Sequence, residues 1–223
     1  MNDMTTLSSP HPSSMPRTRA GRPTREQAEA RHEELLTVAL DHFLDKGYEA
    51  ATIEAIASTV GMTTRTVYGL YPDKPALFRA AVHRAIEHYS ISDERIAATD
   101  CGELERTLHN IARLRIDLVA SQQGMKLQRI INTESYRFPE IFNEVYELGA
   151  LPTIRFLAQL LKRESAAGRL AITEPAKAAN VFMSMVVSGP VRIIVSGNVL
   201  SAAEIDERIA FAVQLFLNGA RPR

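Results

Sequence analysis

The sequence predicts an all-α protein built from a small N-terminal helical unit and a larger C-terminal helical one. Three observations carry that reading. Apolar residues recur at helical spacing through most of the chain beyond residue 26, no stretch sustains the alternation of a β-strand, and two short helical segments meet at Gly61 with the spacing of a tight helix-helix turn.

Residues 26–46, EQAEARHEELLTVALDHFLDK, set Leu35, Leu36, Ala39, Leu40 and Phe43 at helical spacing, and Gly47 predicts a left-handed C-terminal cap. Thr52 is placed to cap IEAIASTV, with Ile53, Ile56, Ala57 and Val60 inward, and Thr63 to cap TRTVYGL, which stops before YPDK. Asp73 caps a longer helix, KPALFRAAVHRAIEHY, whose first turn tolerates Pro75. In the middle pair, small Ala57 allows a close crossing, Gly61 permits the positive φ of a tight turn, and Val67 points back into the core. A helix-turn-helix of this kind is built to place its second helix in a DNA major groove. That use accounts for the composition of the second helix. Val67 and Leu70 are expected to hold it on its scaffold, while the rest of its surface is left polar.

Composition narrows the partners. The 223 residues are 45% hydrophobic, enough for one sizeable core or two small ones, and formal net charge is zero, so attraction to nucleic acid must come from local clustering. RTRAGRPTR, residues 17–25, is such a cluster, with Arg17, Arg19, Arg22 and Arg25 and no acid. It reads as a solvated arm, or as one that follows a phosphate backbone or enters a minor groove. The preceding Ser-, Pro- and Thr-rich start lacks the apolar core of a secretion signal and predicts disorder. Single Cys101 excludes an intrachain disulfide and fits a cytoplasmic location. No run approaches the roughly 18 uninterrupted apolar residues of a bilayer span, so no membrane partner is expected. The six histidines form no HExxH motif, and no Gly-rich phosphate loop appears. Nothing proposes an enzymatic reaction, a metal or a cofactor.

From about Arg25 to Leu77, and above all in ATIEAIASTVGMTTRTVYGLYPDKPALF, the chain resembles the TetR family of bacterial transcriptional repressors. The resemblance implies phosphate contacts from Thr52, Tyr68 and Lys74, and residues at the groove in Thr63, Thr64 and Arg65, with Arg22 of the arm and Tyr71 added to the DNA-binding set. Leu70-Tyr71 stands where many members have Tyr-Phe, which leaves Tyr71 either at DNA or buried in the Phe role. Arg65 stands where Gly is common, and its side chain either pairs with a guanine or holds a phosphate.

The C-terminal part continues in helices: 102–121 and 123–135 are amphipathic, Pro139 opens a longer helix expected to bend at Pro152, 175–197 is apolar nearly all round, and Ser201 to Glu204 forms a capping box for 202–219. The domains are thus a disordered basic arm (1–25), a helix-turn-helix DNA-binding domain with its linking helix (26–90) and a C-terminal ligand-binding and dimerisation domain (91–223). By resemblance the last two helices form a two-fold four-helix bundle with a second subunit, with Val191, Ile194, Ile209, Val213 and Phe216 at the interface; the alternative is a core closed within one subunit. Family members also hold a ligand cavity here. Its expected walls are Met125, Phe138, Phe142, Tyr146, Met183 and Val187, with His109, Arg113 and Gln128 as polar anchors, although such stripes also serve as plain core. The expected protein is a homodimeric repressor released from a palindromic double-stranded DNA operator by a small apolar or amphipathic effector. The alternative is a DNA-binding or adaptor protein controlled by a protein partner.

Overall fold

A computed structural model describes residues 24–198 and 200–222. The expected arm of residues 1–25, with Arg22, lies outside the described residues except for Thr24 and Arg25. Every regular element among the described residues is helical, in the order α1 (Arg25–Ala50), α2 (Ile53–Thr59), α3 (Thr64–Leu70), α4 (Lys74–Tyr89), α5 (Asp93–Ala97), α6 (Leu104–Ala120), α7 (Gln122–Glu134), α8 (Pro139–Glu144), a π-helix (Val145–Ala150), α9 (Leu151–Ala166), α10 (Pro175–Val195) and α11 (Ala202–Ala220).

Local chemistry sets most boundaries. Thr24 opens α1 with a capping box, accepting from the Gln27 amide while the Gln27 side chain accepts from the Thr24 amide, so two orphan donors are satisfied reciprocally. Gly47 breaks α1 with φ 79° and ψ 159°, a positive φ but not the left-handed helical cap expected of it. Thr52, Thr63 and Asp73 cap α2, α3 and α4 as read, each accepting from the amide three residues on. Gly61 turns the chain at φ 62°. Ser201 and Glu204 complete a capping box on α11.

The helix changes type directly ahead of Pro152, where a bend is expected. The backbone stays helical from Pro139 to Ala166, and the turn just ahead of Pro152, which has no N–H to donate back to it, is the π-helix. The wider turn accommodates one extra residue ahead of the proline.

Two buried clusters form the interior. One joins Leu35, Phe43, Tyr48, Ile56, Val67 and Phe78 of α1–α4 to Leu127, Ile130, Phe138 and Ile141 from the segment around α7 and α8. The other packs α6 and α9 on α10 and α11 through Ile111, Leu157, Phe182, Ile209 and Val213. Ile209 and Val213 are each 1% exposed within one chain, so the expectation that they meet a second subunit is corrected: they face inward. Ile194 and Phe216 are partly buried against the same cluster, with Phe216 edge-on to Phe182 at 5.1 Å, and Val191 is partly buried. The side of these helices left uncovered carries Val181, Phe211 and Leu215 instead.

By length and composition α10 is apolar enough to cross a membrane, with mean hydropathy 1.6 over an 18-residue window. It packs on α6, α9 and α11, but only 28% of that window is buried, so much of an apolar helix remains uncovered by its own chain.

Candidate nucleic-acid interface and effector site

The short α2 and α3 are held by their inward residues. Ile53, Ile56, Ala57 and Val67 are all at or below 3% exposure, and the Met62 amide donates to the Ala57 carbonyl at 2.9 Å across the Gly61 turn. Leu70 does not share this work, contrary to expectation. It is 49% exposed, because the helix ends there and its side chain has turned past the core-facing line of Val67.

The outward surface gathers most of the predicted contact residues. Thr52 is exposed, its hydroxyl accepting from the Ala55 amide at 3.2 Å, which leaves its hydrogen free to donate to a phosphate. Thr63 is exposed and Thr64 half-buried; the Thr63 hydroxyl accepts from the Thr66 amide and lies 2.8 Å from the Thr66 hydroxyl. Arg65 is exposed, with no ion pair among the described residues, and Tyr68 is 47% exposed. A groove of ≈ 660 Å³ runs beside this helix, lined by Arg25, Arg31 and His32 of α1 together with Thr63, Thr66 and Leu70. Arg25 and Arg31 therefore flank the recognition helix; Arg25 belongs to the basic run of residues 17–25, whereas no local sequence motif marks Arg31.

Two predicted contacts have other duties. Tyr71 is turned inward, stacked on His32 with its hydroxyl 2.6 Å from His32 Nε2, and burial followed by the nearby Glu33 carboxylate raises its pKa above the usual phenol value. Its ring is half-buried against the first cluster, the packing expected of the interior role. Lys74 donates from Nζ to the Glu49 carbonyl at 2.9 Å and lies 4.7 Å from the Tyr48 ring centroid, so it ties α4 to the end of α1 while keeping further donors for a phosphate.

The separate roles of Arg65 and Tyr68 are measurable. Arg65→Ala is expected to change base preference by about 1–3 kcal/mol at one position if Arg65 reads a guanine, whereas Tyr68→Phe weakens all sites alike by removing one phosphate hydrogen bond. Selection from random DNA distinguishes them, and an unchanged preference in the Arg65 variant assigns that residue to the backbone.

The expected effector-site residues do not converge. Phe138 is buried in the first cluster, 4.7 Å from the Phe78 ring and 5.0 Å from Tyr48, so it is corrected from cavity wall to core. Phe142 and Tyr146 are 60% and 38% exposed. Arg113 donates to Asp117 and, at 2.9 Å, to Asp206, and His109 lies 3.7 Å from the same Asp206 carboxylate. Both anchors are thus engaged in joining α6 to α11. Met125 and Gln128 are half-buried on α7, Met183 is buried and Val187 half-buried on α10, and these two helices touch.

The residue missed nearby is Arg115. It is 9% exposed in the middle of α6, donates from one terminal nitrogen to the Gly149 carbonyl of the π-helix at 2.7 Å, and its Nε has no partner.

A helix-turn-helix with an exposed polar second helix, joined through α4 to a second helical bundle, defines a two-part DNA-binding regulator. Comparison with known proteins gives its family. Residues 35–81 match the bacterial regulatory proteins of the tetR family, and residues 106–219 match the C-terminal domain of AefR-like transcriptional repressors. The chain belongs to the TetR family of transcriptional regulators.

Among solved structures, it is similar to the flavonoid-responsive regulator FrrA, with 30% identity, 87% of this chain and 99% of that one covered, and TM-score 0.70. A TetR-family regulator from Mesorhizobium loti shares the fold at TM-score 0.72 with 23% identity over 90% of this chain and all of that one. NalD, the secondary repressor of the MexAB-OprM efflux pump in Pseudomonas aeruginosa, does so at TM-score 0.63 and 18% identity, over 88% of this chain and 98% of its own. A curated relative, the nucleoid occlusion factor SlmA of Pasteurella multocida, is 27% identical over 121 residues, 53% of this chain; the match spans 59% of that protein's length.

Proposed function

We propose that the chain is a homodimeric repressor that leaves a near-palindromic operator when a small apolar or amphipathic molecule enters its C-terminal helical domain. The observation that carries this reading is the pairing of an exposed polar recognition helix with an uncovered apolar face on α10 and α11, since two such units, brought together by that face, present two recognition helices. Val181, Phe211 and Leu215 supply its exposed apolar area, and a groove of ≈ 570 Å³ between the two helices is lined by Gly189, Arg208, Phe211 and Leu215. The similarity to FrrA supports a flat aromatic effector for this chain as well.

Half-sites should lie near one helical turn apart or a multiple, about 34–36 Å on one face of the duplex. A hundredfold relief of repression requires an effector that favours the non-binding state by nearly 3 kcal/mol, and DNA then weakens effector binding by the same factor. The test is fluorescence anisotropy on an operator selected from random DNA, titrated with flat aromatic compounds, flavonoids included. Release by at least one compound, with reciprocal weakening of its binding by operator, is expected; binding to DNA that no compound alters overturns effector control and favours regulation by a protein partner.

A further inference from the structure

The cue is a charge without a countercharge. Arg115 lies on the row of α6 that also carries Leu108, Ile111, Ala112 and Val119, all buried, and no carboxylate lies within 4 Å of its nitrogens among the described residues. Arginine stays protonated in proteins, so burial strands a cation that water no longer solvates. Desolvation lowers its pKa from the ordinary value, and Tyr89, the one titratable neighbour acting on it, works in the opposite direction.

A second group shares the predicament. Thr153, in the first turn of α9, is 1% exposed and its hydroxyl has no partner. It stands four residues beyond Gly149, so the carbonyl one turn back, the usual acceptor for a helical threonine, is the very one that Arg115 occupies. Two buried donors, the Arg115 Nε–H and the Thr153 hydroxyl, are therefore left unmatched around one turn of backbone. Unmatched buried donors are rare and costly, and π-helical turns recur at functional sites.

From this juxtaposition we infer that the effector is an organic anion, a flat acid whose carboxylate is held by Arg115 and Thr153 at the π-helix. The inference rests on the effector-controlled reading above and adds the chemical class. A carboxylate takes two parallel hydrogen bonds from one edge of a guanidinium, which a carboxamide cannot replace, and its second oxygen keeps lone pairs for the hydroxyl.

The same geometry supplies a route to DNA. The π-helix packs on α4, and the far end of α4 is tethered to α6 where the Tyr89 hydroxyl donates to the Leu118 carbonyl and lies 2.6 Å from the Ser121 hydroxyl. An acid that draws Arg115 off the Gly149 carbonyl frees the π-helix to change its packing on α4. Because α4 begins at Lys74, beside the recognition helix, its displacement moves the DNA-binding unit as a body.

The test uses the full chain and paired probes: benzoate and 4-hydroxycinnamate, each beside its uncharged amide. Thermal shift and calorimetric titration are expected to show at least tenfold tighter binding of an acid than of its amide. Arg115→Met should erase that preference, Arg115→Lys should restore part of it, and Thr153→Val should weaken the acid three- to tenfold while leaving the amide unchanged. If Arg115→Met does not fold, the lysine and valine variants decide alone. Acids that bind no tighter than amides, acids that do not bind, or variants that respond as the parent does, overturn the inference. Operator release separates it from the reading beneath it: uncharged compounds that release DNA leave effector control standing without the anion, and acids that bind at Arg115 without releasing DNA do the reverse.

Discussion

Replacing Phe138 with alanine is expected to lower the free energy of unfolding by about 3–5 kcal/mol and the melting temperature by roughly 10 °C. The ring is 6% exposed and meets Tyr48 and Phe78, which in turn contacts Phe43 at 5.0 Å, so truncation leaves a cavity inside an aromatic cluster. Its position also gives the loss a wider consequence. Phe138 comes from the segment leading into α8, yet it packs with α1 and α4, and so it fastens the C-terminal part of the chain to the DNA-binding unit. Operator affinity should fall with stability, and both should recover together at lower temperature. Phe142→Ala, four residues on and 60% exposed, is the control and should change stability by no more than about 0.5 kcal/mol. Circular dichroism during urea unfolding measures both. A loss below about 1 kcal/mol for Phe138→Ala, accompanied by an altered effector response, would return that residue to the cavity wall.

Phe138 also shows what the sequence reveals and what it withholds. Helix positions and caps were legible because they depend on neighbours in the chain: Thr52, Thr63, Asp73 and Ser201 each precede an apolar periodic run and each caps it. The recognition helix was legible for the same reason, since Ala57, Gly61 and Val67 encode a crossing between adjacent segments. Which apolar residue faces which partner is a long-range fact. Phe138 joins residues about sixty to ninety positions earlier, and Ile209 and Val213 turn inward because α6 and α10 supply cover that no local pattern announces.

Arg115 lies on the opposite face of α6 from Arg113. Arg113 attracted attention as a polar anchor, but residues two apart on an α-helix lie about 200° apart around its axis, so one faces Asp206 and the other the interior. The signal existed: Arg115 falls seven residues after Leu108 and four after Ile111, in register with the apolar face. An arginine in a core register is the more informative of the two. Tyr71 depends likewise on a distant residue, for the partner that holds its ring is His32, thirty-nine residues away in sequence.

The double substitution Phe211→Asp with Leu215→Asp is expected to abolish operator binding, weakening it by at least about a hundredfold, in a chain that remains fully helical. These residues are 70% and 56% exposed on the outer side of α11, so carboxylates there stay in water in the isolated subunit and cost little. Brought against a second subunit, the same charges must be desolvated beside their own symmetry copies, and association fails. A monomer then engages one half-site, and the second recognition helix is no longer held at the millimolar effective concentration that linkage provides. Val213→Asp behaves differently although it lies only two positions from each. At 1% exposure it forces a carboxylate between α11 and its own chain's core, so it should unfold the C-terminal bundle instead of dissociating a folded dimer. Light scattering and circular dichroism on the three proteins separate the cases: the surface variant should be monomeric and helical, the interior variant unfolded or aggregated. A surface variant that stays dimeric places the interface elsewhere, and one that is monomeric yet binds operator at parental affinity removes the need for a dimer, because two-fold engagement is what gives the exposed face of α11 its consequence for DNA.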